Sequence, residues 1–261
     1  MTISFVGAGP GAPDLITLRG AQRLSGADVV VWAASLVPES LLEHCRNGVE
    51  LHDSKSMTLE QVCAVFAAHP RAAIVRLHSG DTSIYSAIAE QIDWCRRHDR
   101  AFEVVPGVTS VSATAAAAGV ELTVPGVAQT VVMTRLARRT SASMPTNETL
   151  AGAAGAGGTL ALFLSVGHVG EVVTELTEGT AQLSLDTPVV VAHRVSWPDE
   201  SLVRTTLAEL VGVVETGGFD ATTMLLIGPA LATAAPPRHS HVYAASYTTR
   251  YRTSASRDSN E

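Results

Sequence analysis

Short apolar runs alternate along the chain with stretches whose apolar residues recur every three or four positions. The runs at 3–6 (Ile-Ser-Phe-Val), 29–32 (Val-Val-Val-Trp), 72–77 and 102–105 read as buried strands, each followed by a turn. Between them, Leu18, Ala21 and Leu24 fall on one helical face between a capping Thr17 and a stop at Gly26. Leu59, Val62, Cys63 and Phe66 mark a second helix, and Ile84, Ile88, Ile92 and Cys95 a third, while 111–118 is a helix of small residues. The second half repeats the alternation: strands at 130–134, 159–165, 188–193, 201–205 and 224–227, with helices over 169–176 and 207–215 and a helix end near 151–158. A strand–helix alternation of this kind predicts an α/β protein with parallel strands, wound as a doubly wound sheet in its first half. The pattern changes near 120–128, which predicts two α/β domains, 1–124 and 125–235, with a mobile tail over 236–261.

The turns after three of these strands carry the chemistry. The first, Gly7-Ala8-Gly9-Pro10-Gly11-Ala12-Pro13-Asp14, satisfies the relaxed dinucleotide pattern G-x-G-x-x-[G/A]. That pattern works only when its last position opens a helix and an acid ends the second strand. Here Pro13 to Ile16 intervene before the helix, and Asp28 stands before its strand, so a glycine-lined cradle for a small ligand is the better reading. The second turn is His78-Ser79-Gly80-Asp81, in which Gly80 lets the backbone approach a ligand and Asp81 or Thr82 can cap the next helix. His78 is either an acid–base group or a structural histidine. The third, Pro106-Gly107-Val108-Thr109-Ser110, offers hydroxyls that cap a helix, bind a ligand, or do both. Arg135, Arg138 and Arg139 lead into a polar loop that is either simply solvated or a grip for carboxylates, which arginine matches in bidentate geometry.

Composition narrows the class. The chain has 261 residues, 46% hydrophobic and 16% charged, enough for a real core. A net charge of −7 argues against a nucleic-acid partner. No apolar run reaches the ~18 residues of a membrane span, and the first residues lack a signal-peptide pattern, so a cytoplasmic protein with no membrane partner is expected. Cys45, Cys63 and Cys95 form no CxxC pair, so neither a disulfide framework nor a metal site is expected. No G-x-S-x-G elbow, H-E-x-x-H, Walker loop or kinase signature is present, nor any evident nucleophile–base pair.

Several stretches, in order, resemble the tetrapyrrole methylases, the S-adenosylmethionine-dependent C-methyltransferases of sirohaem and cobalamin synthesis. The resemblance runs from Thr2 to about Leu231. It rests on the first glycine turn through Thr17, on Ala34-Ser35-Leu36-Val37, on His78 to Asp81 with Tyr85, and on Val105 to Ser110. It continues through Gln129 to Arg135, Leu162 to Ser165, and Trp197-Pro198-Asp199-Glu200 with Arg204-Thr205-Thr206. The Ser-Leu-Val, Thr-Arg and Trp-Pro-Asp-Glu runs resemble the subgroup acting at C-11 of precorrin-4. Two departures stand out: Thr82 follows Asp81 where Pro is common, and Ala87 replaces a common Gly.

The resemblance implies a homodimer of two α/β domains with S-adenosylmethionine in the trough between them, no metal, and precorrin-4, an anionic tetrapyrrole, as substrate. It implies that Pro10 lines the cofactor pocket, with Ser79, Gly80 and Asp81 at the methionine or ribose part and Thr109 and Ser110 beside them. Leu164, Val195 and Thr223 match positions around the adenosine, and the Gly7–Pro13 turn would face the tetrapyrrole. Arg135 is the leading candidate to anchor a substrate carboxylate, ahead of Arg138 and Arg139. No catalytic base is assigned. Another ring carbon, the cobalt form of the substrate, or a diphthine-methylating relative are the neighbouring possibilities; a non-catalytic binding module is the more distant one.

Overall fold

The computed structural model describes residues 1–136, 142, 144–178, 180–232 and 240–253. They divide into two compact units, one of residues 1–118, 192–203 and 219–224, the other of 119–191, 204–218 and the described part of 225–261.

The first unit is built on a parallel sheet. Its strands are β1 (Ile3–Gly7), β2 (Val29–Trp32), β3 (Glu50–Asp53), β4 (Ile74–His78) and β5 (Phe102–Val105), in the order β3-β2-β4-β1-β5. Four helices connect or follow them: α1 (Leu18–Ser25), α2 (Leu59–Ala68), α3 (Ile88–Arg97) and α4 (Ser110–Ala118). Alternation along the strands sorts side chains onto two faces. Val6, Val30, Val75, Leu77 and Val105 pack with Leu24 of α1, whereas Ile3, Phe5, Val29, Val31 and Ile74 pack with Val62 and Phe66 of α2 and Cys95 of α3. The sheet is therefore covered on both faces, the condition for near-continuous apolar strands. Adjacent β1 and β4 feed helices on opposite faces, which opens a crevice at their C-terminal ends, where such sheets bind ligands.

Local signals set the helix ends. Thr17 caps α1 by accepting from the Gly20 N–H at 3.1 Å. Thr58 and Gln61 form a reciprocal capping box on α2. Asp28 serves the N-terminal end of β2, accepting from the Ala73 N–H at 2.7 Å and pairing with Arg46 at 2.6 Å, so it is remote from any nucleotide ribose role. The third helix departs from expectation: it begins at Ile88, and neither Asp81 nor Thr82 caps it. Residues 81–87 instead form a turn in which Tyr85 and Ala87 take φ of 51° and 49°.

A second sheet has the order β6-β7-β10-β8-β9, from β6 (Val131–Arg135), β7 (Thr159–Phe163), β8 (Pro188–His193), β9 (Ser201–Thr206) and β10 (Thr223–Ile227). It is mixed: β6 and β7 are parallel, β7 and β10 antiparallel. Helices α5 (Leu150–Gly155), α6 (Val169–Thr177) and α7 (Leu210–Gly217) accompany it, α6 packing against both of the others. No helix among the described residues is long and apolar enough to cross a membrane.

Candidate functional site

The turns after β1, β4 and β5 are joined backbone to backbone. Gly9 and Gly80 exchange hydrogen bonds, Gly80 N–H to the Gly9 carbonyl at 2.7 Å and Gly9 N–H to the Gly80 carbonyl at 3.1 Å, and the Ala8 N–H donates to the His78 carbonyl at 2.7 Å. A Cβ on Gly7 would lie 2.6 Å from Gly107 Cα, and one on Gly107 would overlap the Gly80 carbonyl oxygen. Gly80 differs: its φ of 66° favours glycine, yet a Cβ there would meet nothing nearer than 4.0 Å, so its face is open. The atoms at that distance belong to Val108, Thr109 and Ser110, at the start of α4.

Asp81 ties the second turn to the third. One carboxylate oxygen accepts from the Gly107 N–H at 2.7 Å, the other from the Ser83 N–H at 2.8 Å and from the Ser83 hydroxyl. Burial alone would raise its pKa, but the hydrogen bonds from Ser83 and Gly107 outweigh it and hold the carboxyl below its usual range. Thr109 Oγ1 accepts from the Val111 N–H at 2.9 Å, capping the first turn of α4.

The Trp-Pro-Asp-Glu run clips onto the first turn. Trp197 Nε1–H donates to the Pro10 carbonyl at 3.0 Å, and the Ala12 N–H donates to Ser196 Oγ at 2.9 Å. Arg194 lies 4.1 Å over the Trp197 ring and pairs with Asp199 at 2.8 Å, while Glu200 accepts from the Ser196 N–H at 2.5 Å. Arg194 and Ser196 take positive φ of 47° and 67°, a kinked conformation that these contacts hold in place.

Beneath the turns lies a buried basic pair. Burial lowers Arg76 to about 10, and its guanidinium is satisfied by Ser54, Gln91 and the Val31 carbonyl. Burial first, and then Arg76, push His78 down to about 3, so the imidazole is neutral in ordinary buffers; its Nε2 is buried without a hydrogen-bond partner. Of the two readings of His78, the structural one stands. A depression of about 520 Å³ bounded by Cys95, Arg96, Asp99, Arg100, Ala101 and Phe102 opens at the N-terminal end of β5, away from these turns.

Comparison with known proteins places this geometry. Residues 2–211 match the family of Tetrapyrrole (Corrin/Porphyrin) Methylases. The chain belongs to the tetrapyrrole methylases. It is 40% identical to a precorrin-4 C(11)-methyltransferase of Sinorhizobium sp. over 254 residues, 97% of this chain and 98% of that protein. It is 42% identical to a cobalt-precorrin-4 C(11)-methyltransferase of Methanocaldococcus jannaschii over 231 residues, 88% of each. The X-ray structure of a cobalt precorrin-4 methyltransferase superposes with a TM-score of 0.84 at 42% identity, covering 88% of this chain and 96% of that one.

In this tetrapyrrole methylase, most of the residues singled out from the sequence gather in the first unit. Pro10 presents its carbonyl to Trp197, Ser79 and Gly80 sit half-buried in the second turn beside Asp81, and Thr109 and Ser110 face Gly80. Val195 packs on Ala113 of α4 with Ala192 and Leu202. Thr223 is buried, and its hydroxyl donates to the Asp220 carbonyl at 2.7 Å; toward His193 it therefore accepts, from Nδ1–H at 3.1 Å. In the second unit, Arg135 ends β6 in register with Phe163 of β7, and Leu164 follows at once. Ser165 joins these two strand ends, accepting from the Leu136 N–H at 2.8 Å and donating to the Phe163 carbonyl at 2.7 Å. Leu164 is 60% exposed at a φ of 53°, an apolar side chain held outward by strained backbone. Arg138 and Arg139 lie outside the described residues. Sequence reasoning missed His193, Ser196 and Trp197 as organisers; the Trp-Pro-Asp-Glu run marked the resemblance, but nothing in it showed the clip onto Pro10 and Ala12.

Proposed function

We propose that the chain transfers a methyl group from S-adenosylmethionine to C-11 of precorrin-4, giving precorrin-5 in cobalamin biosynthesis. The observation that carries this reading is the 40% identity, over 97% of the chain, to a relative named for that reaction. The turns suit the donor: Gly80 leaves its backbone face open, and Asp81, held ionised, sets a negative charge beside it.

S-adenosylmethionine supplies, when bound, a sulfonium methyl that is already strongly electrophilic. The chain's task is then to orient and to exclude water. Ser79, Gly80 and Asp81 hold the methionine or ribose part, Thr109 and Ser110 line the start of α4 next to them, and Pro10 closes the pocket from the first turn. Leu164, Val195 and Thr223 contact the adenosine. Arg135 anchors a substrate carboxylate, with Arg138 and Arg139 as subsidiary candidates. The enamine-like C-11 would contribute its electron pair to the new C–C bond as the C–S bond breaks, leaving S-adenosylhomocysteine, and the conjugated nitrogen would give up its proton to solvent. Asp81, as a carboxylate of low pKa, holds the cofactor and moves no proton, and neutral His78 is sealed from solvent. We read the working form as a cytoplasmic homodimer.

The test is calorimetric titration with S-adenosylhomocysteine, with NADH as control, followed by turnover of precorrin-4 and of its cobalt form. Micromolar binding of S-adenosylhomocysteine alone and conversion at C-11 are expected, and the two substrates decide the metal question. Arg135→Ala should cut turnover at low substrate roughly ten- to hundredfold, the worth of a lost charged hydrogen bond, while S-adenosylhomocysteine affinity holds. Failure to bind S-adenosylhomocysteine would overturn the reading.

A further inference from the structure

A cluster of metal-ligating side chains lies away from these turns, on the free edge of the parallel sheet. Glu50 and His52 are two residues apart in β3, so they share one face of that strand. His69 is the residue that ends α2. Their ligand atoms, a Glu50 carboxylate oxygen and one nitrogen of each histidine, all fall within 4.8 Å of one another. His52 Nε2 is 2.7 Å from Glu50 Oε1, and His69 Nε2 is 3.1 Å from Glu50 Oε2.

The hydrogen bonding of His69 carries the argument. Its Nδ1 stands 2.8 Å from the Val65 carbonyl, which can only accept, so Nδ1 bears the proton. In the neutral ring Nε2 then presents a lone pair, and it faces a carboxylate oxygen that also can only accept. Two acceptors at that distance need a positive species between them, either the second proton of an imidazolium or a metal ion in its place, and the convergence of three ligand atoms within 4.8 Å is what favours the metal. A backbone carbonyl fixing the Nδ1–H tautomer while Nε2 points at a cation is also the outer-shell arrangement of metal-bound histidine. The donors are two imidazoles and one carboxylate, a set that suits zinc and leaves a fourth position for water. Four-coordinate zinc places neighbouring ligand atoms about 3.3 Å apart, so small side-chain rotations close the site.

We propose that Glu50, His52 and His69 form a zinc-type divalent-metal site that staples the edge strand β3 to the end of α2. Among the described residues β3 is at the end of the sheet and pairs only with β2, so it has most to gain from a tie to a helix. The capping box of Thr58 and Gln61 fixes the start of α2, and the metal would fix its finish. The site is independent of the methyl-transfer reading, and its histidines stand 24% exposed at their side chains, within reach of solvent metal.

The experiment uses the full chain, stripped with a chelator and titrated calorimetrically with zinc chloride. One ion per chain, bound at micromolar strength or tighter, is expected. His69→Gln and, separately, His52→Gln should each weaken it by at least about tenfold and abolish the zinc-dependent rise in melting temperature. Glu50→Gln is the third arm should a histidine variant fail to fold. Absence of zinc binding, or binding that survives in these variants, overturns the proposal. S-adenosylhomocysteine binding, measured in parallel, should be the same in all variants.

Discussion

The Asp81 carboxylate accepts the backbone N–H of Gly107 at 2.7 Å across 26 residues of sequence, so one acidic group holds the turn after β4 against the turn after β5. A charge-assisted hydrogen bond of this kind contributes about 1.5–3 kcal/mol. Asp81→Asn should therefore lower the denaturation midpoint and weaken S-adenosylhomocysteine binding at least about tenfold. Calorimetry alongside urea unfolding checks both; unchanged affinity would free Asp81 from the binding role.

Trp197 donates to the Pro10 carbonyl and packs its ring against Gly11. Trp197→Phe removes the indole donor to Pro10 but keeps a ring under Arg194, and should cost about 1 kcal/mol. Gly11→Ala should cost more, because its Cβ would overlap Trp197 Cδ1 and lie 2.5 Å from Nε1, driving the indole out. The order of the two denaturation midpoints decides the matter.

His78 sets a pH dependence of definite sign. Its folded pKa, about 3, lies below the unfolded value of about 6.5, so the unfolded chain takes up a proton that the folded chain refuses. Stability from this residue is complete above about pH 6.5 and is lost as pH falls toward 3. Between pH 6.5 and 5 the loss should be about 1.5–2 kcal/mol. His78→Gln should flatten that limb of the wild-type curve, whatever its own stability at pH 7; parallel slopes in the two proteins would refute the assignment.

Ala87 occupies a left-handed φ of 49° next to the start of α3, exposed and without a side-chain cap. An L-residue there carries about 1–2 kcal/mol of strain, more than the entropy that glycine forfeits. Ala87→Gly should raise the urea midpoint by up to about 1 kcal/mol of stability. A drop would mean that the turn gains from the methyl group.

Much of the fold was legible where local signals agree. Thr17 and Gly26 bracket α1, and the Val-Val-Val-Trp run is β2 to the residue. The strand β3, Glu-Leu-His-Asp, went unread because nothing in its composition favours a strand; pairing with β2 imposes it. Ile84 has helical spacing with Ile88, yet it lies in a turn whose backbone is held by Asp81 and Ser86, so the periodicity overran the element. Leu207 likewise precedes α7, buried in the turn that leads to it. The three glycine turns were visible as motifs. Their mutual bonding was not, nor was the clip onto the first of them, since Trp197 and Pro10 are 187 residues apart and no local pattern joins them.

The seam of Gly7, Gly80 and Gly107 limits how the protein can change by descent. At Gly7 and Gly107 even a methyl group must displace backbone, so no small mutational step is open there. A saturation library selected for cobalamin production should return only glycine at those two positions, and at Gly80, whose φ is 66°, at most glycine with Asn or Asp. New acceptor preferences would then have to be sought away from this seam, where side chains rather than backbone set the contacts.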